Sequence, residues 1–168
     1  MRLVSILENH NIEKRISVTP ETAKKFISLG IEVSLQEGYG NHLGFDDKNF
    51  SDLGVEIIKE EKDIFNKADI IVQLGLLPNE KLSFLKNNQL LIGVLNPFLN
   101  REKIDELIKK KINSFSLELL PRITRAQSMD VLSSQANLAG YKAVIESFSH
   151  FEKAIPMMMT AAGTVPAA

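Results

Sequence analysis

The sequence predicts an α/β domain built on a doubly wound, mostly parallel sheet. Three observations lead there. Short apolar, β-branched runs alternate with helical patterns from Leu3 to Leu117. Runs such as Asp69-Ile70-Ile71-Val72 do not alternate apolar with polar, which suits central strands buried on both faces. The 168 residues are 44% apolar and 24% charged. That is one soluble domain's length and balance, and at this size roughly 70% of the unfolded surface is buried on folding.

The elements follow in order. Leu3–Leu7 is a strand. Thr19 is a helix cap, Pro20 fits the first helical position and Glu21 faces the positive end of the dipole. Phe26, Ile27 and Leu29 give that helix an apolar side, and Gly30 suits its left-handed stop. Ile31–Leu35 is the next strand. Gly38-Tyr39-Gly40 and Gly44 mark a loop, and Asp46-Asp47 opens a short helix closed by Gly54. The rhythm repeats with a strand at Val55–Ile58, a helical turn at Asp63–Lys67 and a strongly apolar strand at Ile70–Leu74. Pro78–Leu85 is helical and Leu90–Leu95 a strand. Arg101–Lys110 is a helix with Ile104, Leu107 and Ile108 on one face, and Ile112–Leu117 is a further strand. From Asp130 the texture changes. Leu132, Ala136, Ala139, Ala143, Val144 and Phe148 fall at helical spacing, which predicts one long helix capped by Asp130 and ending near Lys153, ahead of Pro156. The last stretch has no pattern of its own. The division expected is an α/β domain over 1–129, a connecting helix over 130–153 and a linker over 154–168.

The bulk numbers exclude several functions. A net charge of −1 leaves no electrostatic footprint for nucleic acid. Without cysteine there is no disulfide and no thiolate chemistry. The N-terminal apolar run meets Glu8 too early for a signal peptide. No stretch reaches the ~20 apolar residues that span a bilayer. The uncharged Ala154–Ala168 segment contains Pro156, Gly163 and Pro166. Membrane association therefore requires a partner.

One passage goes further than composition. It runs Leu120-Pro121-Arg122-Ile123-Thr124-Arg125-Ala126-Gln127-Ser128-Met129-Asp130-Val131-Leu132-Ser133-Ser134-Gln135-Ala136-Asn137-Leu138-Ala139-Gly140-Tyr141-Lys142-Ala143-Val144. It resembles the signature of the NAD(H)-binding subunit of proton-translocating nicotinamide nucleotide transhydrogenases. The closing Met157-Met158-Met159-Thr160-Ala161-Ala162-Gly163-Thr164-Val165-Pro166 is similar to the same family's approach to its nucleotide-binding strand. The opening Glu8-Asn9 with Glu13-Lys14-Arg15-Ile16-Ser17-Val18-Thr19-Pro20-Glu21 resembles the start shared by that subunit and alanine dehydrogenases.

The resemblance implies a flavodoxin-like sheet followed by a long helix crossing to a second domain. It implies a subunit that binds NAD(H) when complete, uses no metal and forms a homodimer. Such a subunit docks on a membrane-spanning domain and on a separate NADP(H)-binding domain. It is cytoplasmic, and sits on the inner membrane's cytoplasmic face through those partners. Hydride passes between NADH and NADP+, coupled to proton translocation. The loop before the long helix supplies groups to the nicotinamide, which by spacing fall on Arg122, Gln127, Asp130 and Ser133. The residue types suit the task, since the cofactor carries the reactive bond and the protein holds the ring in place. Gln127 matches both the acceptor and the donor of a carboxamide. Arg122 and Ser133 donate, and Asp130 accepts and can orient Arg122.

Plainer roles stand beside these. Asp130 is well placed as a helix cap, and Arg122 and Arg125 are compatible with surface positions or an ion pair with Glu118. Met157-Met158-Met159 fits apolar packing better than a soft metal site. His10, His42 and His150 are isolated in sequence and read as surface or loop residues. Two departures weigh against alanine dehydrogenase activity. Where that family uses a lysine and a histidine, this chain aligns Gln73 and Asn96, which offer neither a cation nor a proton-transfer group. Arg15, where that family contacts a substrate carboxylate, is retained. No G-x-G-x-x-G follows a strand, so these residues are expected to form one wall of a nicotinamide site and not to hold NAD(H) tightly alone. The other readings are a divergent alanine dehydrogenase fragment and a non-catalytic module for dimerisation or partner binding.

Overall fold

The structure is a computed structural model that describes residues 1–167. Ala168, the last residue of the expected linker, lies outside the described residues. The chain divides into two compact units, Met1–Pro121 and Arg122–Ala168.

The first unit is a six-stranded parallel sheet with helices. Its elements are β1 (Arg2–Ser5), α1 (Pro20–Ser28), β2 (Glu32–Gln36), α2 (Asp47–Ser51), β3 (Glu56–Ile58), α3 (Glu61–Lys67), β4 (Ile70–Val72), α4 (Asn79–Leu82), β5 (Leu90–Gly93), α5 (Arg101–Lys109) and β6 (Asn113–Ser116). The strand order is β3-β2-β1-β4-β5-β6, and every neighbouring pair is parallel. Leaving aside the three-residue edge strand β3, the other five stand in the order of a flavodoxin-like sheet. With β3 the order is that of the six-stranded doubly wound folds.

Strand β1 shows why both faces of the sheet are covered. Leu3 and Val4 point to opposite faces. Leu3 joins a core with Val18, Val33, Leu35, Tyr39 and Phe50. Val4 joins the other with Ile64, Phe65, Ile71, Leu91 and Leu107. Each large apolar side chain buried this way contributes about 1.5–3 kcal/mol.

Helix α1 starts as expected. The Thr19 side chain accepts from the Thr22 N–H, Thr22 answers the Thr19 N–H, and Pro20 follows the cap. Gly30 lies just beyond its end at φ +78°.

The second unit carries α6 (Val131–His150), capped by Asp130, and this helix stops three residues before the expected end. Leu138, Tyr141, Val144 and Phe148 of this helix are exposed. The stretch without sequence pattern forms a hairpin of β7 (Met158–Thr160) and β8 (Gly163–Val165). Its strands are three residues each, too short for periodicity to reveal. Among the described residues no helix is long and apolar enough to cross a membrane.

Candidate functional site

In the doubly wound sheet the chain runs from β1 outward to β2 and β3, then returns to the other side of β1 as β4. The carboxyl ends of β1 and β4 therefore splay apart around a crevice, the place where open α/β sheets bind ligands. A cleft of about 690 Å³ opens there. Its wall comes from the loop after β1, with Glu8, Ile12, Glu13 and Arg15. Gln73 and Gly75 follow β4, Asn96 follows β5, and Lys81 and Lys103 come from α4 and α5.

Gln73 is 3% exposed and bonded through its whole amide. Its Oε1 accepts from Ser5 Oγ and the Ile6 N–H, both at 2.8 Å. Its Nε2 donates to the Ile6 carbonyl at 3.3 Å and to Glu8 Oε1 at 3.1 Å. Two acceptor and two donor places are filled, so Gln73 is a clasp between β4 and the end of β1. Next to it, buried Ser5 and Tyr39 form a hydroxyl cluster with half-buried Ser17. The Tyr39 oxygen accepts from the N–H groups of Ser17 and Val18 at 3.1 Å.

Glu8 is the half-buried acid of the cleft. Its Oε1 accepts from Gln73, from the Leu74 N–H at 2.7 Å and from the Gly75 N–H at 3.4 Å. Burial raises its carboxyl above the usual glutamate value. The Leu74 and Gly75 N–H groups oppose that, the Glu13 charge adds to it and Lys81 counters it. Arg15 forks onto Glu13, with Nε to Oε1 at 2.8 Å and Nη2 to Oε2 at 2.6 Å. Those bonds hold the Glu13 carboxyl below its usual value. Lys81 donates to Glu61 at 2.8 Å. Asn96 sits at φ +45°, a left-handed conformation that asparagine tolerates. Its N–H donates to Glu118 Oε1, which also accepts from Ser116 Oγ.

The loop at the start of the second unit gathers some of the expected set. A 3₁₀ turn over Thr124–Met129 leads into α6. Asp130 Oδ1 accepts from the Ser133 N–H at 2.9 Å and Oδ2 from Ser133 Oγ at 2.6 Å. These bonds, with the positive charge of Arg122 as a smaller cause, hold the Asp130 carboxyl below its usual value. Gln127 meets Asp130 through its backbone carbonyl, at 3.3 Å from the Asp130 nitrogen. The side chains of Arg122 and Gln127 are exposed.

Sequence reasoning missed two features. Glu8 was legible as a motif residue, but its place on the cleft floor was not. His10 and His42, isolated in sequence, stack with ring centroids 3.9 Å apart, and His42 Nε2 lies 2.8 Å from the Lys14 carbonyl. Only the fold brings them together. Among the described residues no three metal-ligating side chains converge. A hollow of about 780 Å³ also lies at the opposite end of the strands, the amino ends of β1, β2 and β3, around Arg2, Glu32, Glu56 and Lys67. Those four charges are paired with one another, so the hollow offers none for a ligand.

Residues 6–139 match the alanine dehydrogenase/PNT N-terminal domain. The chain belongs to this family. It is 42% identical, over 99% of its length, to an NAD(P) transhydrogenase subunit alpha polypeptide of Rickettsia prowazekii. It is 39% identical, over 100% of its length, to the protein of the same name from Rhodospirillum rubrum. The solved transhydrogenase from Sinorhizobium meliloti superposes with a TM-score of 0.88 at 39% identity, covering 98% of this chain and 50% of that one. The chain covers 45% of each of the two bacterial relatives, so it spans about half the length of the proteins it matches.

Proposed function

We infer that this chain is the N-terminal domain of the NAD(H)-binding α subunit of a proton-translocating NAD(P) transhydrogenase, and that the loop from Arg122 to Ser133 forms one wall of its nicotinamide site. The observation that carries the reading is the 39–42% identity to transhydrogenase α subunits across essentially the whole chain, that loop included. In the complete enzyme hydride passes between NADH and NADP+, coupled to proton translocation. NADP(H) sits on a separate domain, the subunit is a homodimer, and it stays on the cytoplasmic face of the inner membrane through a membrane-spanning partner. The α6 helix connects this domain to the NAD(H)-binding one, with residues 154–168 leading towards it.

The donor set fits the group it would hold. When bound, the nicotinamide supplies the transferable hydride, and this chain contributes hydrogen bonds and charge. Gln127 can donate to and accept from the carboxamide, and Arg122 can donate. Asp130, kept ionised by Ser133, fixes a negative charge beside them. The cleft at β1 and β4 does not suit amino-acid dehydrogenation, because Gln73 is locked in the core and Asn96 transfers no proton.

Titration of the purified chain with NADH, followed by nucleotide fluorescence, tests the claim of a single wall. Saturable binding is expected to be absent from the micromolar to the low-millimolar range, because no glycine-rich pyrophosphate loop occurs in these residues. Saturable micromolar binding would show a complete site within them and overturn the reading.

A further inference from the structure

We propose that Glu8 makes the cleft at the ends of β1 and β4 a binding site for a small organic cation, a primary ammonium or guanidinium group carried without a carboxylate. The proposal does not rest on the transhydrogenase reading, which uses other residues.

The geometry of Glu8 comes first. Its Oε1 accepts from Gln73, Leu74 and Gly75, and is saturated. Its Oε2 receives no donor from any described residue. Residue 75 has no side chain, and a Cβ there would stand 3.9 Å from Oε2, so the approach to that oxygen is clear. The carboxylate is thus held rigidly by one oxygen and presents the other.

The neighbouring charges come second. Arg15 forks onto Glu13 and Lys81 donates to Glu61. Among the described residues no protein cation reaches salt-bridge distance of Glu8. Lys103 lines the cleft from α5, and comparing a zwitterion with a plain cation tests its contribution. A half-buried carboxylate with no cation in direct contact is costly, and a donating cation offsets that cost with a charge-assisted bond. Ile6, Ile12, Leu77 and Val94 supply apolar wall for a short alkyl tail.

Binding should be linked to protons. A cation favours ionised Glu8, whose carboxyl lies above its usual value in the free protein. Affinity should therefore rise with pH through the Glu8 titration and level off above it. The charges acting on Glu8 are Glu13, which raises its titration, and Lys81, which lowers it, with Arg15 close enough to feel Glu8 in turn.

The test is titration of the full chain with n-propylammonium, guanidinium, tetramethylammonium and alanine at constant ionic strength. The readout is the backbone amide resonances of Leu74 and Gly75 and the side-chain amide of Gln73. Saturable shifts are expected with propylammonium and guanidinium, and not with tetramethylammonium, which cannot donate. Glu8→Gln should weaken binding by about tenfold or more. Glu8→Asp, which keeps the charge, should retain some of it, and this separates loss of charge from loss of the loop. Equal shifts in Glu8→Gln and the native chain would overturn the proposal. So would shifts that do not saturate, or alanine binding about tenfold more tightly than propylammonium.

Discussion

Asp130→Asn, in an assembled transhydrogenase carrying this chain, is expected to slow hydride transfer by a factor on the order of 10² and to leave the melting temperature nearly unchanged. The substitution separates two roles that coincide at one residue. Asp130 caps α6 through the Ser133 N–H and Oγ. Asparagine caps a helix about as well as aspartate, so the helix start survives. The negative charge near Arg122 and Gln127 does not. Gln127→Ala should act in the same direction by removing the amide that matches a carboxamide. Its side chain is exposed, so the fold has little to lose. Stopped-flow transfer and thermal melts on the same preparations give both quantities. Equal losses of rate and stability would make these residues structural.

Gly93→Ala should be the most damaging single-methyl change in the sheet. Gly93 closes β5 beside the end of β4. A Cβ on it would overlap the Gln73 carbonyl oxygen and press on Leu95. That obstacle is backbone within a parallel ladder and cannot rotate away. Overpacking of this kind costs about 1–3 kcal/mol, which for a domain of this size lowers Tm by roughly 2–12 °C. The strain acts on Gln73, so the clasp on Glu8 should loosen with it. Gly140→Ala is the control. A methyl there meets nothing, and alanine in a helix interior is better than glycine by about 0.5–1 kcal/mol, so stability should stay level or rise. A melt of Gly93→Ala matching the native chain would show that β4 and β5 are less constrained than their packing indicates.

Much of the sheet was legible because its strands announce themselves. Leu3-Val4, Ile70-Ile71 and Leu90-Leu91 come as apolar doublets. Both members of the first are buried, and in the other two a buried Ile71 or Leu91 follows a partly buried residue, so neither face of these strands is polar. The caps at Thr19 and Asp130 were legible because a cap is a local event among four residues. The terminal hairpin was not, since Met158–Thr160 and Gly163–Val165 are too short to alternate and are wholly exposed. At the site, the Arg122–Ser133 loop was visible as contiguous sequence. The Glu8–Gln73 clasp joins residues 65 positions apart, and only a parallel register of β1 and β4 puts them together. Gln73 itself reads from sequence as a lost cation. Its burial and four hydrogen bonds explain why an amide stands there, since it saturates strand ends that a charge would leave poorly satisfied.

The most direct measurement is single-turnover hydride transfer between NADH and NADP+ in a chimera. In it these residues replace the matching segment of the Rhodospirillum rubrum α subunit, reconstituted with the rest of that transhydrogenase. A rate within about tenfold of the parent enzyme, abolished in large measure by Asp130→Asn, is the predicted result. A chimera that folds and assembles with its partners yet transfers no hydride would contradict the assignment of this chain to the nicotinamide site.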